Sequence, residues 1–257
     1  MRRTVGKVKK ARLAKPTASL RAAASTPAGI NVGPQIMPRG SQGERAYEYI
    51  RKELLRGRFA PTTMLPVEAL ASEIGVSRQP VMEAMRRLSD DGLVQVIPQV
   101  GCRVAVHSPR EIADFFRVFA VVEGILANLA AERHDPKELV RLRLLSAEIG
   151  VLRKPKTPPP VQSEGYRTLN REFHGVIHSM ARAPQIAQLA RGFWDRSDFH
   201  LTSSSSFSLF AERLEAAHHD HEEIIKLIES RNAEQAGTTM RDHILAFSKR
   251  LHEELLE

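Results

Sequence analysis

Residues 65–105 read LPVEALASEIGVSRQPVMEAMRRLSDDGLVQVIPQVGCRVA, and this stretch decides the fold. Leu70, Ala71 and Ile74 fall on one side of a short helix over Val67–Ile74. Gly75 supplies the backbone freedom that ends it, and Val76 plugs the corner before the next helix. Ser77 suits the N-cap of that second helix, and Pro80 sits in its first turn, where a missing N–H costs little. Val81, Ala84, Met85 and Leu88 make its buried stripe, and Asp90–Gly92 closes it. Leu93–Ile97 and Cys102–Val106 pattern as strands, joined by a turn with Pro98 first and Gly101 last. Helix, turn, helix, hairpin is a winged helix-turn-helix, a unit whose second helix ordinarily reads a DNA groove.

Working outward, a helical stripe of Tyr47, Ile50, Leu54 and Leu55 precedes this unit and ends at Gly57. Further upstream the composition changes. Of the 38 Lys and Arg residues, nine fall in residues 1–43 with no acid among them, so the remaining 29 face 30 acidic residues. The net charge of +8 therefore belongs to the N-terminal stretch and not to the body. With four prolines and many Ala and Ser, residues 1–42 are expected to be a disordered basic arm. Downstream, Ser108 and Pro109 form a linker and a helix start. From there only helical periodicity is found, broken by a Pro-rich extended segment at Lys154–Val161 and a polar run at Thr202–Ser206. The expected architecture is mainly α: a winged helix-turn-helix over 43–107, then an all-α bundle of six or seven helices over 108–257. The lone cysteine, Cys102, excludes an intramolecular disulfide, suits a small apolar filler in the wing and fits a reducing cytoplasm. No apolar run approaches the roughly 18 residues of a membrane span.

The motif residues make the resemblance specific. Leu70-Ala71, Gly75-Val76-Ser77-Arg78, Pro80-Val81, Glu83-Ala84, Arg87-Leu88, Gly92-Leu93-Val94 and the Pro98–Gly101 turn resemble the signature of the GntR family of bacterial transcription regulators. The chain departs from that pattern at Met82, where members usually carry Arg, and at Thr62 or Thr63, where they carry Gly. The second half is similar, more loosely, to the helical FCD-type ligand-binding domain of the FadR-like branch. Glu123, Asn170, Phe173-His174, Ala183-Pro184, His221, Ile224-Ile225, Met240 and His243 carry that likeness. Many members have an Arg four residues before the glutamate; here Phe119 stands in that place.

Two constellations carry chemistry. Arg78 and Gln79 open the recognition helix, where Arg suits guanine O6/N7 and Gln suits adenine N6/N7. Met82 faces the same way, towards a thymine methyl or into the core. Arg86 and Arg87 lie further along as phosphate contacts, and Ser77 precedes the helix. Gly101 lets the wing backbone approach the sugar-phosphate edge, and Arg103 adds charge there.

The second constellation is histidine-rich. Asn170, His174 and His178 are spaced by four and project from one helix face. The resemblance implies a metal set of an Asp or Asn, a His four residues later, and one His on each of two later helices. Asn170, His174, His221 and His243 match that order, and His178 is left to line an effector cavity. His221 and His243 are 22 residues apart across a short loop, which sets them at similar heights on antiparallel helices. Three imidazoles suit Zn or Ni better than Mg or Ca. An Asn in place of Asp leaves the ligand set neutral, so that metal binds weakly and an organic-acid effector supplies the missing anion. The bland alternative is a hydrogen-bonded polar interior without metal.

The resulting expectation is a non-enzymatic, cytoplasmic, nucleoid-associated regulator. It binds a partly palindromic double-stranded DNA operator as a homodimer and responds to a small organic acid. Two rival readings stand beside it. A metal-dependent hydrolase needs a general base beside a metal-bound water, yet no H-E-x-x-H spacing occurs and Glu172 falls off the Asn170–His174 face. A non-specific nucleic-acid binder is suggested by the basic arm and disfavoured by the near-neutral body.

Overall fold

The computed structural model describes residues 41–152, 159–203 and 207–254. The basic arm expected over residues 1–42 lies outside them, apart from its last two positions. Ser41 there caps α1 (Gln42–Leu55), its hydroxyl accepting from the Glu44 N–H at 3.2 Å. Helix α2 (Val67–Ile74) ends on Gly75, whose φ of 73° is the left-handed conformation the sequence required there. Helix α3 (Arg78–Asp90) begins after Ser77, which holds the N-cap position but makes no side-chain capping bond.

Strands β1 (Val94–Ile97) and β2 (Gly101–Val104) pair antiparallel, with Val94 opposite Val104 and Val96 opposite Cys102. β1 starts one residue later than the sequence suggested, because the Leu93 N–H closes the end of α3 on the Leu88 carbonyl, and β2 is shifted to Gly101–Val104. The hairpin turn holds Gln99 at φ 63° and Gly101 at φ 145°. Ile50, Leu70, Val81, Met85, Leu88, Leu93 and Cys102 are buried together, so Cys102 is the apolar filler its surroundings called for. Burial pushes its thiol pKa up.

Beyond the wing, Ser108 and Glu111 form a reciprocal capping box that starts α4 (Pro109–Arg133). A 3-10 turn at Pro136–Glu138 leads into α5 (Leu139–Leu152). The rest of the bundle is α6 (Pro159–Met180), α7 (Pro184–Ser203), α8 (Phe207–Glu229) and α9 (Ala233–Glu254). Six described α-helices thus follow the wing. The Pro-rich break is shorter than expected: residues 153–158 are outside the described set, and α6 already begins at Pro159, since proline is tolerated in a first helical turn. Likewise α7 continues through Thr202 and Ser203, whose hydroxyls do not stop a helix; the Thr202 hydroxyl donates to the Asp198 carbonyl at 3.1 Å. No helix among the described residues is long and apolar enough to cross a membrane.

Helices α4 and α9 cross at a pair of glycines. A methyl placed on Gly124 would lie 2.7 Å from the Gly237 carbonyl oxygen, and one on Gly237 would lie 2.9 Å from the Gly124 carbonyl oxygen. Neither position has room for a Cβ. The apolar interior of the bundle gathers Phe116, Phe119, Leu126, Leu142, Phe173, Ile177, Ile224 and Met240.

Helix α7 also fastens the winged unit to the bundle. Its Phe199 is buried within the winged unit's own apolar cluster. Arg196 Nε donates to the Asp91 carbonyl at 2.6 Å, and Asp195 takes Arg51 of α1 at 2.6 Å. From α6, Arg167 donates to the Leu55 carbonyl at 3.0 Å, and Arg171 reaches both Asp195 and Asp198.

Candidate functional site

The histidine set meets inside the bundle. His174 of α6, His221 of α8 and His243 of α9 are all buried, and one ligand atom from each lies within 4.8 Å of the others. The His221 and His243 rings are 4.8 Å apart, and the His174 ring lies 5.8 and 5.7 Å from them. The spacing argument from sequence predicted this juxtaposition across the α8–α9 turn.

Several buried polar atoms here have no hydrogen-bond partner: His174 Nε2, both nitrogens of His221, and Asn170 Oδ1, one turn earlier on α6. An orphaned buried polar group costs roughly 1–3 kcal/mol. Four such atoms on residues of one predicted site form a donor set that lacks its acceptor. The chemistry fits a divalent metal: lone pairs on neutral imidazoles plus an amide oxygen. Burial pushes the His174 pKa down to about 4, despite its carboxylate neighbour, and pushes His221 well below its usual value. Both rings are therefore uncharged at neutral pH, as a metal ligand must be.

The outer shell orients these rings. Glu123 of α4 is fully buried, and its carboxylate accepts from His174 Nδ1 at 2.7 Å, His178 Nε2 at 2.8 Å and Trp194 Nε1 at 3.0 Å. Desolvation raises its pKa, but the bonds from His174 and His178 outweigh that and hold it at about 2. The bond from His174 Nδ1–H fixes the tautomer that leaves Nε2 as a lone pair. Asp220 does the same for His243, whose Nδ1 lies 3.1 Å from Oδ2. His221 stacks on the Phe173 ring at 4.2 Å. Besides bonding Glu123, His178 lines a cavity of about 400 Å³ at the α6–α7 corner, with Arg182 and Arg191 on its rim. Phe119 packs into an aromatic wall, stacked on Phe193 at 5.7 Å and edge-on to Trp194 at 5.2 Å.

Glu123, Asp220 and Trp194 have site roles that sequence reasoning did not assign. A signal existed for Glu123. It is the one acid in the run Phe119–Ala131, on the same helical face as the buried Phe116, Phe119 and Ala127, where an unpartnered charge would be prohibitive.

At the other end of the molecule, Ser77, Arg78 and Gln79 are exposed at the start of α3, as is Arg86 two turns on. Arg78 is held by Glu68 of α2 at 3.1 Å. Met82 is half-buried and packs partly on the winged unit's core. Arg103 bonds Gln95 across the wing at 2.8 Å, beside Gly101. Arg87 points back to α1, paired with Glu44 at 2.7 Å and lying over the Tyr47 ring at 4.0 Å. That pairing ties α3 to α1.

Comparison with known proteins agrees with this geometry. The model for bacterial regulatory proteins of the gntR family matches residues 42–104, and the FCD domain model matches residues 114–246. The transcriptional repressor GlaR of Escherichia coli K12 is 26% identical over 204 residues, covering 77% of this chain and 90% of that protein. An HTH-type transcriptional regulator from an unstable DNA locus of Streptomyces ambofaciens is 31% identical over 206 residues, covering 78% of this chain and 80% of that protein. The solved structure of E. coli McbR/YncC superposes with a TM-score of 0.70 at 19% identity, over 83% of this chain and 98% of that one, which speaks to the fold. The chain belongs to the GntR family of bacterial regulatory proteins, as a transcriptional regulator that joins a DNA-binding winged helix-turn-helix to an FCD domain.

Proposed function

We propose that the chain is a transcriptional repressor whose hold on its operator is set by a small organic acid, captured at a divalent metal site formed by Asn170, His174, His221 and His243. The observation that carries this is the cluster of orphaned nitrogens and an orphaned oxygen on those four residues. A bound divalent ion would supply a Lewis-acidic positive point on which a carboxylate can seat. The chain's own residues do the rest. Glu123 and Asp220 hold two imidazoles with their lone pairs free, and the aromatic wall of Phe119, Phe193 and Trp194 excludes water. His178, at the boundary between Glu123 and the α6–α7 cavity, is the residue an entering effector would meet.

In the reading unit, Arg78 and Gln79 address base edges, Met82 a thymine methyl, and Ser77, Arg86, Gly101 and Arg103 the backbone. The operator is partly palindromic because the protein acts as a homodimer. Val118, Val121 and Ile125 favour this, an exposed apolar stripe at helical spacing along α4. A regulator suits the site better than a hydrolase: Glu123, the fully buried carboxylate beside the histidines, is committed to three N–H donors and so orients rather than accepts a proton. Its place of action is the cytoplasmic nucleoid.

The test is calorimetry of chelator-treated protein with Zn and Ni, followed by mobility shifts of the metal-loaded protein on its own promoter region and on random DNA, with and without a panel of carboxylates. Saturable metal heat and a carboxylate that shifts promoter affinity are expected. No metal heat would make the cluster a plain polar pocket, and equal affinity for promoter and random DNA would make the protein a non-specific binder.

A further inference from the structure

We propose that Glu123 is the positioning residue and built-in counter-anion of the metal site, so that metal capture does not wait for an anionic effector. The inference rests on the metal reading above and adds to it. The four ligands are neutral, and taken alone they would leave a divalent charge uncompensated in a buried site. The outer shell changes that balance. Glu123 is fully buried, its carboxylate accepts three N–H bonds, and it is one imidazole away from the metal position through His174. No Lys or Arg is buried among the described residues, so no resident cation there claims this charge. What stabilises it in the metal-free chain is three N–H dipoles, from His174, His178 and Trp194. A carboxylate behind a ligating imidazole both raises that ligand's basicity and locks its ring. Asp220 plays the same part for His243, at the half-exposed edge of the site. The outer shell therefore carries two negative charges, one fully buried, against the two positive charges of the ion. The neutral Asn170 is tolerable for this reason, and the effector is released from the duty of charge balance.

The experiment is metal affinity, measured for Zn by chelator competition and for Co by its absorption bands, in wild type, Glu123→Gln, Asn170→Asp and the double variant. Glu123→Gln keeps the shape and removes the charge, and its expected loss is about 10- to 100-fold in affinity. The diagnostic is rescue. Asn170→Asp puts an anion directly on the metal, so it should tighten binding at least fivefold more in the Glu123→Gln background than in wild type. An equal gain in both backgrounds overturns the charge role, because a merely structural glutamate would not care which charge sits at position 170. Wild-type-like affinity in Glu123→Gln overturns the positioning role as well. Should Glu123→Gln fail to fold, Glu123→Asp and Trp194→Phe decide. Both keep the charge, so each should stay within about tenfold of wild type, and a larger loss in Trp194→Phe refutes the proposal. If wild type itself binds neither Zn nor Co, the metal reading has failed. If wild type binds and the rescue is absent, only this inference has.

Discussion

Acidification should destabilise the metal-free protein in a window set by its buried imidazoles. His174, His200 and His221 are all depressed by burial, His174 to about 4 and His200 to about 3. In the unfolded chain each returns to about 6.5. Between these values the unfolded state binds more protons than the folded one, so stability falls as pH falls. The loss begins near 6.5 and for His174 is complete near 4. At pH 5.0 an imidazole that stays neutral in the fold has lost about 2 kcal/mol relative to pH 7.5. Three of them lose roughly 6 kcal/mol, a large part of an ordinary domain's 5–15 kcal/mol. Glu123 adds little here, because a carboxylate held at about 2 releases its contribution only below its ordinary pKa of 4.5. The assay is a urea melt followed by far-UV circular dichroism at pH 7.5 and 5.0, with chelator present. His200→Phe serves as the control: His200 packs against Phe115, Phe116 and Phe199, so a phenyl ring suits the site, and the pH-dependent loss should shrink by about a third. Equal stability at the two pH values, or a loss untouched by His200→Phe, would refute the reasoning.

Arg78→Ala should leave the melt unchanged and weaken promoter binding about 5- to 150-fold, the worth of one bidentate base contact, in a mobility-shift titration. Its partner gives the opposite sign: Glu68→Gln frees the guanidinium and should tighten DNA binding by up to about fivefold, the upper worth of an exposed ion pair. Removing residues 1–40 should flatten the slope of log K against log salt while preserving the ratio of promoter to random binding; an unchanged slope would take the arm off DNA. Gly124→Ala should cost about 1–3 kcal/mol from overpacking, whereas Gly175→Ala, with nothing near its added methyl, should gain up to about 1 kcal/mol from helix propensity, both read by denaturant melts.

The winged unit was legible because its signals are local. Gly75 ends a helix by its own conformation, and Val81, Ala84, Met85 and Leu88 repeat at a period only a helix satisfies. The convergence of the histidines was legible for a mixed reason: the four-residue step from Asn170 to His174 is local, while His221 and His243 were picked out by the family resemblance and set at similar heights by counting across one short turn. What sequence could not supply was side-chain direction across helices. Nothing in the α3 sequence shows that Arg87 meets Glu44 and Tyr47 of α1. Glu123 and Asp220 became part of the site only when α4 and α8 brought their carboxylates against His174 and His243, contacts 51 and 23 residues apart in sequence.

The glycine crossing of α4 and α9 sets the spacing on which the buried site depends. Glu123 directly precedes Gly124, and His243 lies six residues beyond Gly237, so both ride on two helices whose backbones are locked face to face. A side chain at either glycine would meet the facing carbonyl oxygen and push the two helices apart. Asn170 and His174 ride on α6, which is tied to α4 by the bonds of His174 and His178 to Glu123, and the same helix reaches α1 through Arg167 and the Leu55 carbonyl. One continuous helix thus carries two residues of the candidate site, their bonds to the buried carboxylate and a bond to the winged unit.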